Sequence, residues 1–231
     1  MFNQRSYSMS GSIADFMYKV YGWMAAGLAL TAGTAYAVFQ SPTLFKTIFG
    51  NPILFFGLVI AQFALVIALS GFVMRMSLST AIASFIGYSV LTGLTLSSIF
   101  YVYTAASIYL AFAIAAGTFG AMALYGYFTK DDLTGVGSIA RMALFGIVIA
   151  MLVNFFLKSA QVDYVISLIG VGVFTLLAAY DSQKIKQMGY ALIGQGEIAH
   201  KVALLGALTM YLDFINLFLF LLRLLGKPRE Q

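Results

Sequence analysis

Few ionisable groups lie at membrane depth, and they hold most of the chemistry this chain offers: Asp213, then Asp181 and Arg75 nearer the boundary. Asp213 lies in the middle of the run Leu204 to Leu225, and Gly206, Thr209 and Asn216 share its face of a helix of period 3.6. An ionised carboxylate in hydrocarbon is costly, so an acid placed there faces the protein interior or water. Asp181 closes the run Tyr164 to Tyr180, and Arg75 closes the run Ile53 to Met74. Two carboxylates within hydrogen-bonding distance cannot both ionise cheaply, so such a pair shares a proton and titrates as a unit. Once ionised it presents several oxygens to a hard cation. Calcium takes 6–8 oxygen ligands, so two carboxylates with carbonyls and water make a weak site, which suits an ion in transit. A nearby arginine could pair with one acid and close the path. Plainer readings stand beside these. Asp213 also reads as a protonated acid that locks helix packing. Asp181 reads equally as an interfacial cap or a partner for Lys184 or Lys186, and Arg75 as a headgroup anchor.

Other chemistries find little support. A retinal protein needs a lysine deep in a spanning helix, and every lysine here sits at the end of a run. An intramembrane serine protease needs an embedded base, but the only histidine, His200, lies in the polar stretch before the last run. An intramembrane aspartyl protease uses two aspartates on adjacent helices, a loose fit to Asp181 and Asp213 that nothing else in the chain reinforces. Zero cysteines exclude disulfides, thiolate metal sites and a cysteine nucleophile. No phosphate-cradling Gly-rich loop or zinc-ligand spacing is present. The expectation is a protein that is not an enzyme and holds no tightly bound cofactor.

The elements that must position these residues are hydrophobic. With 61% hydrophobic and 9% charged residues and a mean hydropathy of +0.94, a soluble domain is excluded. Long continuous runs exclude a barrel, whose strands alternate polar and apolar. The net charge of +5 comes from basic residues scattered at the ends of runs, so it is no signal for nucleic acid. The expected fold is an all-α polytopic membrane protein with seven spans and the last helix central. The spans read as Val20 to Phe39, Ile53 to Met74, Leu78 to about Tyr103, Ala106 to Phe128, Met142 to Leu157 (interrupted by Asn154), Tyr164 to Tyr180, and Leu204 to Leu225. The first, about twenty residues, is enough to cross a core of roughly 30 Å.

Residues 1–19 read as a cytoplasmic tail, 20–225 as the transmembrane domain and 226–231 as a C-terminal tail, with Ser182 to Lys201 a polar connection. Ala35-Tyr36-Ala37 mimics a cleavage site, but the run is longer than a signal-peptide core, so this helix is expected to be retained. The third run carries Ser84, Tyr88, Thr92, Thr95 and Ser98 along one face. With the N-terminus inside, Arg5, Lys19, Arg75, Lys130, Arg141, Lys184, Lys186 and Lys201 fall inside, against Lys46 and Lys158 outside. The basic tail with Arg223, Lys227 and Arg229 opposes this bias but weighs less, so N-inside and C-outside is the expected orientation.

The segment Leu205-Gly206-Ala207-Leu208-Thr209-Met210-Tyr211-Leu212-Asp213-Phe214-Ile215-Asn216-Leu217-Phe218 closely resembles the signature of the Bax inhibitor-1 family. Ala179-Tyr180-Asp181-Ser182-Gln183-Lys184-Ile185-Lys186, Leu91 to Phe100 and Gly117 to Met122 match it too. The likeness covers nearly the whole chain and is strongest in the bacterial branch, which implies the inner membrane. It implies a seven-helix bundle around the last helix and a pH-sensitive calcium leak. Carried over, the paired sensor aspartates are Asp181 and Asp213, and Arg75 is the arginine that latches the closed state. Asn216, Thr209, Tyr88 and Thr92 are expected to line the polar path. Ser182 departs from the threonine of many relatives. At 1.5 Å per residue Asp181 lies nearer the surface than Asp213 unless its helix is tilted. Bacterial relatives are also linked to membrane-protein quality control, which implies a second reading: a non-conducting protein that modulates a membrane-embedded protease or a stress response.

Overall fold

The computed structural model describes residues 2–192 and 194–229, with the side chains of 2–12 (Arg5 among them) outside the described residues. Helices carry the whole chain: α1 (Phe2–Phe39), α2 (Pro42–Phe49), α3 (Pro52–Phe72), α4 (Leu78–Leu96), α5 (Ile99–Val102), α6 (Ala105–Phe128), α7 (Thr134–Leu157), α8 (Ala160–Ala191) and α9 (Gly196–Leu225). A 3₁₀ turn, Val73–Arg75, extends α3. Seven segments are long and apolar enough to cross a membrane, and no strand occurs among the described residues. The last is the most enclosed: 67% of its apolar window is buried, against 6% for the span that begins at Pro52. The chain divides into two compact units, one of Met1–Val102 with Gln187–Tyr211, the other of Tyr103–Lys186 with Leu212–Gln231.

In the first unit, local chemistry sets the helix boundaries. Ser41 and Asn51, each followed by a proline at the first helical position, accept from backbone amides of α2 and α3. Ser77 does the same for α4 through the Thr80 amide, 3.1 Å away. The stretch expected as a tail is helical, and Ile13, Phe16 and Met17 are buried. Within α3 only Leu69 is buried, as befits a helix apolar all round and turned to lipid. Close packing of α1 on α4 depends on Gly93, where a Cβ would sit 2.6 Å from the Thr31 carbonyl oxygen. The third span does not run unbroken to Tyr103. Ser97 and Ser98 turn their hydroxyls onto the carbonyls of Leu94 (2.7 Å) and Thr95 (3.2 Å), and α4 gives way to α5 at that point.

In the second unit, three boundaries differ from expectation. The fifth span begins at Thr134 rather than Met142, with Gly135 and Gly137 inside the helix. Asp132 starts it by accepting from the Thr134 amide (2.9 Å) and hydroxyl (2.6 Å). Those two hydrogen bonds hold the Asp132 carboxyl below its usual range. Asn154 does not interrupt α7; it accepts from the Ser159 amide just past the helix end, where Lys158 takes a left-handed conformation. The sixth helix does not end at Asp181. It runs on to Ala191, so the polar connection expected from Ser182 shrinks to the few residues before Gly196. Lysine, glutamine and methionine are good helix formers in water, so a change in hydropathy marked the edge of hydrocarbon rather than the end of the helix. The C-terminal tail is pinned: the Thr104 amide donates to the Lys227 carbonyl (3.2 Å), and the Lys227 amide to the Ser107 hydroxyl (2.9 Å).

Candidate ion site in the second unit

Asp181 reaches its position because α8 is clamped on both sides of it. Gly126 of α6 lies directly against the Ala179 carbonyl, and Gly137 of α7 against the Tyr180 ring; a Cβ at either would collide. Beyond the acid, the Ser182 hydroxyl donates to the Ala123 carbonyl at 2.7 Å. Gln183 accepts from the Leu133 amide (3.0 Å) and donates to the Asp131 carbonyl (2.7 Å), which ties the α6–α7 connection to α8. Lys186 donates to the Tyr127 carbonyl at 2.6 Å, where the last carbonyls of α6 need donors. About 15 Å of helix continues past Asp181, which places the acid well inside α8 instead of at its mouth.

Asp213 sits near the middle of α9, where Phe214 packs edge-on against Phe112 and Phe119, each at a ring-centroid distance of 5.5 Å. Both acids are buried, Asp181 at 9% and Asp213 at 6% exposure. Their carboxyl groups are close enough to interact with each other. A carboxylate only accepts, so a hydrogen bond between the two requires that one of them carry a proton. One oxygen of Asp213, Oδ2, is buried without a hydrogen-bond partner, the one such side-chain atom among the described residues. An orphaned carboxyl oxygen in the interior calls for a ligand or a function. Among the described residues no third His, Cys, Asp or Glu joins the pair as a metal ligand. This donor set fits a hard cation in passage better than a permanently held one.

The remaining expected residues divide between the units. Asn216 lies in the second unit, and its Nδ2 donates to the Leu212 carbonyl at 2.8 Å. Tyr88, Thr92 and Thr209 belong to the first unit. Thr92 donates to the Tyr88 carbonyl (2.9 Å) and Thr209 to the Leu205 carbonyl (3.2 Å). Arg75 is also in the first unit, its guanidinium 6.0 Å from the ring centroid of Phe72. The ion pairs among the described residues are Lys201–Glu197 and Arg223–Asp163, and Arg75 is in neither. Sequence reasoning named Lys184 as a partner of Asp181 but passed over two further neighbours, Tyr180 and Arg141. The Ala-Tyr-Asp-Ser-Gln-Lys run held the signal, since a tyrosine and a lysine flank the acid within one helical turn. Arg141 carried none, because a loop placement hid its helix.

Seven helices long and apolar enough to cross a membrane, with no strand among the described residues, define a polytopic integral membrane protein of the all-α class. The family described as "Inhibitor of apoptosis-promoting Bax1" matches residues 13–230. The chain is 52% identical over 218 residues to the inner membrane protein YbhL of Escherichia coli K12, covering 94% of this chain and 93% of that one. It is 48% identical over 216 residues to a protein of Borreliella burgdorferi, covering 94% and 93%. To YrjE of Lactococcus lactis it is 38% identical over 237 residues, covering 98% and 94%. The chain therefore belongs to the Bax inhibitor-1 family.

Proposed function

We propose that the protein is a pH-sensitive calcium leak of the bacterial inner membrane, with Asp181 and Asp213 as both the ion's stepping point and the proton sensor. The observation that supports this most is the buried, interacting carboxyl pair with the unpartnered oxygen on Asp213. A pair that shares a proton holds less charge than two free acids, and release of that proton offers the remaining oxygens to a hard cation. Proton and calcium compete for the same atoms, so conduction follows pH over the range in which the pair titrates. Two carboxylates fall short of the 6–8 oxygens calcium prefers. The ion completes its shell with carbonyls and water and leaves readily. Asn216, Thr209, Tyr88 and Thr92 supply polar lining, and Arg75 latches the closed state by pairing with an acid. The N-terminus lies inside and the C-terminus outside, following the basic residues.

Calcium flux into liposomes that contain the purified full-length chain tests this directly. The expected result is pH-dependent flux that loses its pH dependence when either aspartate becomes asparagine. A folded protein that passes no calcium at any pH would overturn conduction and leave a docking role, for example toward a membrane-embedded protease.

A further inference from the structure

Two basic side chains that the proposed conduction does not use converge on the ring next to Asp181. Arg141 of α7 donates from Nη1 to the Tyr180 phenol oxygen at 2.7 Å, and its guanidinium carbon lies 4.8 Å from the ring centroid. Lys184, one turn along α8, holds its ammonium 5.9 Å from the same centroid. Tyr180 is buried, whereas both cations are exposed. The charged groups whose fields act on Asp181 are Lys184 from its own helix, Arg141 from α7 and Asp213 from α9. From α6 comes the Ala123 carbonyl, taken by Ser182, and Lys186 is turned to Tyr127. Arginine suits the Tyr180 position because its planar fork stacks on a ring and hydrogen-bonds its hydroxyl at once.

We propose that Arg141, Tyr180 and Lys184 form a cationic cap over Asp181, which opposes the approach of a divalent cation to the carboxyl pair and must be drawn aside for it to pass. This deepens the calcium-leak reading and rests on it. The cap satisfies the acid electrostatically while no ion is present, and its two positive charges repel calcium more strongly than a monovalent ion. For a unit charge near the path of a divalent ion, with solvent screening allowed for, an effect of about tenfold per cation is expected.

The test uses the full-length protein in liposomes with two readouts: calcium flux, and modification of Asp181 by a carbodiimide read by peptide mass spectrometry. Arg141→Gln and Lys184→Gln should each raise calcium leak about tenfold, the double variant should raise it further, and Asp181 modification should rise in the same order. Tyr180→Phe removes a single oxygen and should give a smaller rise; it carries the test where Arg141→Gln fails to fold. Arg141→Lys keeps the charge but not the stacking, so its leak should fall between the parent and the glutamine variant. If both readouts stay at parent values in a folded double variant, the cap is wrong. Flux that still needs Asp181 and Asp213 would then leave the leak reading standing. If modification rises while no variant conducts, the cap covers the acid as proposed and it is the leak reading that falls.

Discussion

The two units treat buried polar groups in opposite ways. Among the described residues of the first, every buried polar side chain has a partner. Thr31 donates to the Ser89 carbonyl (2.9 Å), so the 2.7 Å contact between Thr31 and Tyr211 has the tyrosine as donor. Ser89 donates to the Phe85 carbonyl, Thr92 to that of Tyr88, and Lys201 pairs with Glu197 at 2.8 Å. These groups are hydroxyls and one surface-reaching ammonium, all satisfied nearby. In the second unit the buried set includes two carboxyl groups on each other and one oxygen on nothing. A satisfied hydroxyl cluster fixes helix packing, whereas an unpartnered buried acid is the feature on which the proposed conduction rests. That contrast separates framework from site more sharply than polarity alone, since Thr92 and Asp213 both lie on polar stripes.

The largest expected effect falls on the pair. Asp181→Asn or Asp213→Asn should each flatten the pH response of calcium flux, and the double variant should add little beyond either, because coupled groups titrate together. Wild-type pH dependence in both single variants would reduce Asp213 to a packing acid and erase the contrast between the units. Next comes Arg75, the first-unit residue for which an action on the pair is proposed. Arg75→Ala should raise basal leak severalfold at unchanged thermal stability, since losing a partner enlarges the open population. Unchanged leak in a folded variant would return it to a headgroup anchor.

The hydroxyl cluster should answer in stability and not in flux. Thr31→Val deprives the fully buried Tyr211 of its nearest acceptor and should cost about 1–2 kcal/mol, with Tyr211→Phe near 1 kcal/mol. Thermal unfolding in detergent measures both, while their pH response should remain that of the parent; an altered response would make the cluster part of the site. The smallest effect belongs to Asp132. Its carboxyl is held below the usual range in the folded protein, so the stability it contributes is present above its unfolded pKa and is lost as pH falls through the lower folded one. Asp132→Ala should thus cost a little stability at neutral pH and nothing in strong acid. A cost that persists at low pH would point to lost packing instead of a lost cap.

Much of the frame could be read from residue types alone, because hydrocarbon is an exacting solvent. Runs of twenty apolar residues have to cross it as helices, Ser41-Pro42 and Asn51-Pro52 have to start helices, and an aspartate amid Phe214, Leu217 and Phe218 needs a reason to be there. Where water replaces hydrocarbon the same reasoning failed: Thr134–Arg141 and Ser182–Ala191 stay helical although their polarity had suggested connections. Hydropathy reports the solvent a residue can tolerate, and helix propensity is nearly blind to that boundary. The interaction between Asp181 and Asp213 could not be read from a spacing, since residues on two helices meet only if the helices pack in one register. Tertiary contacts decided that register. Two glycines, Gly126 and Gly137, let α6 and α7 close on Ala179 and Tyr180, and the same approach brought Arg141 onto the Tyr180 ring. Burial cost selects which residues matter from the sequence alone; which of them touch depends on backbones coming within a distance that a single methyl group would forbid.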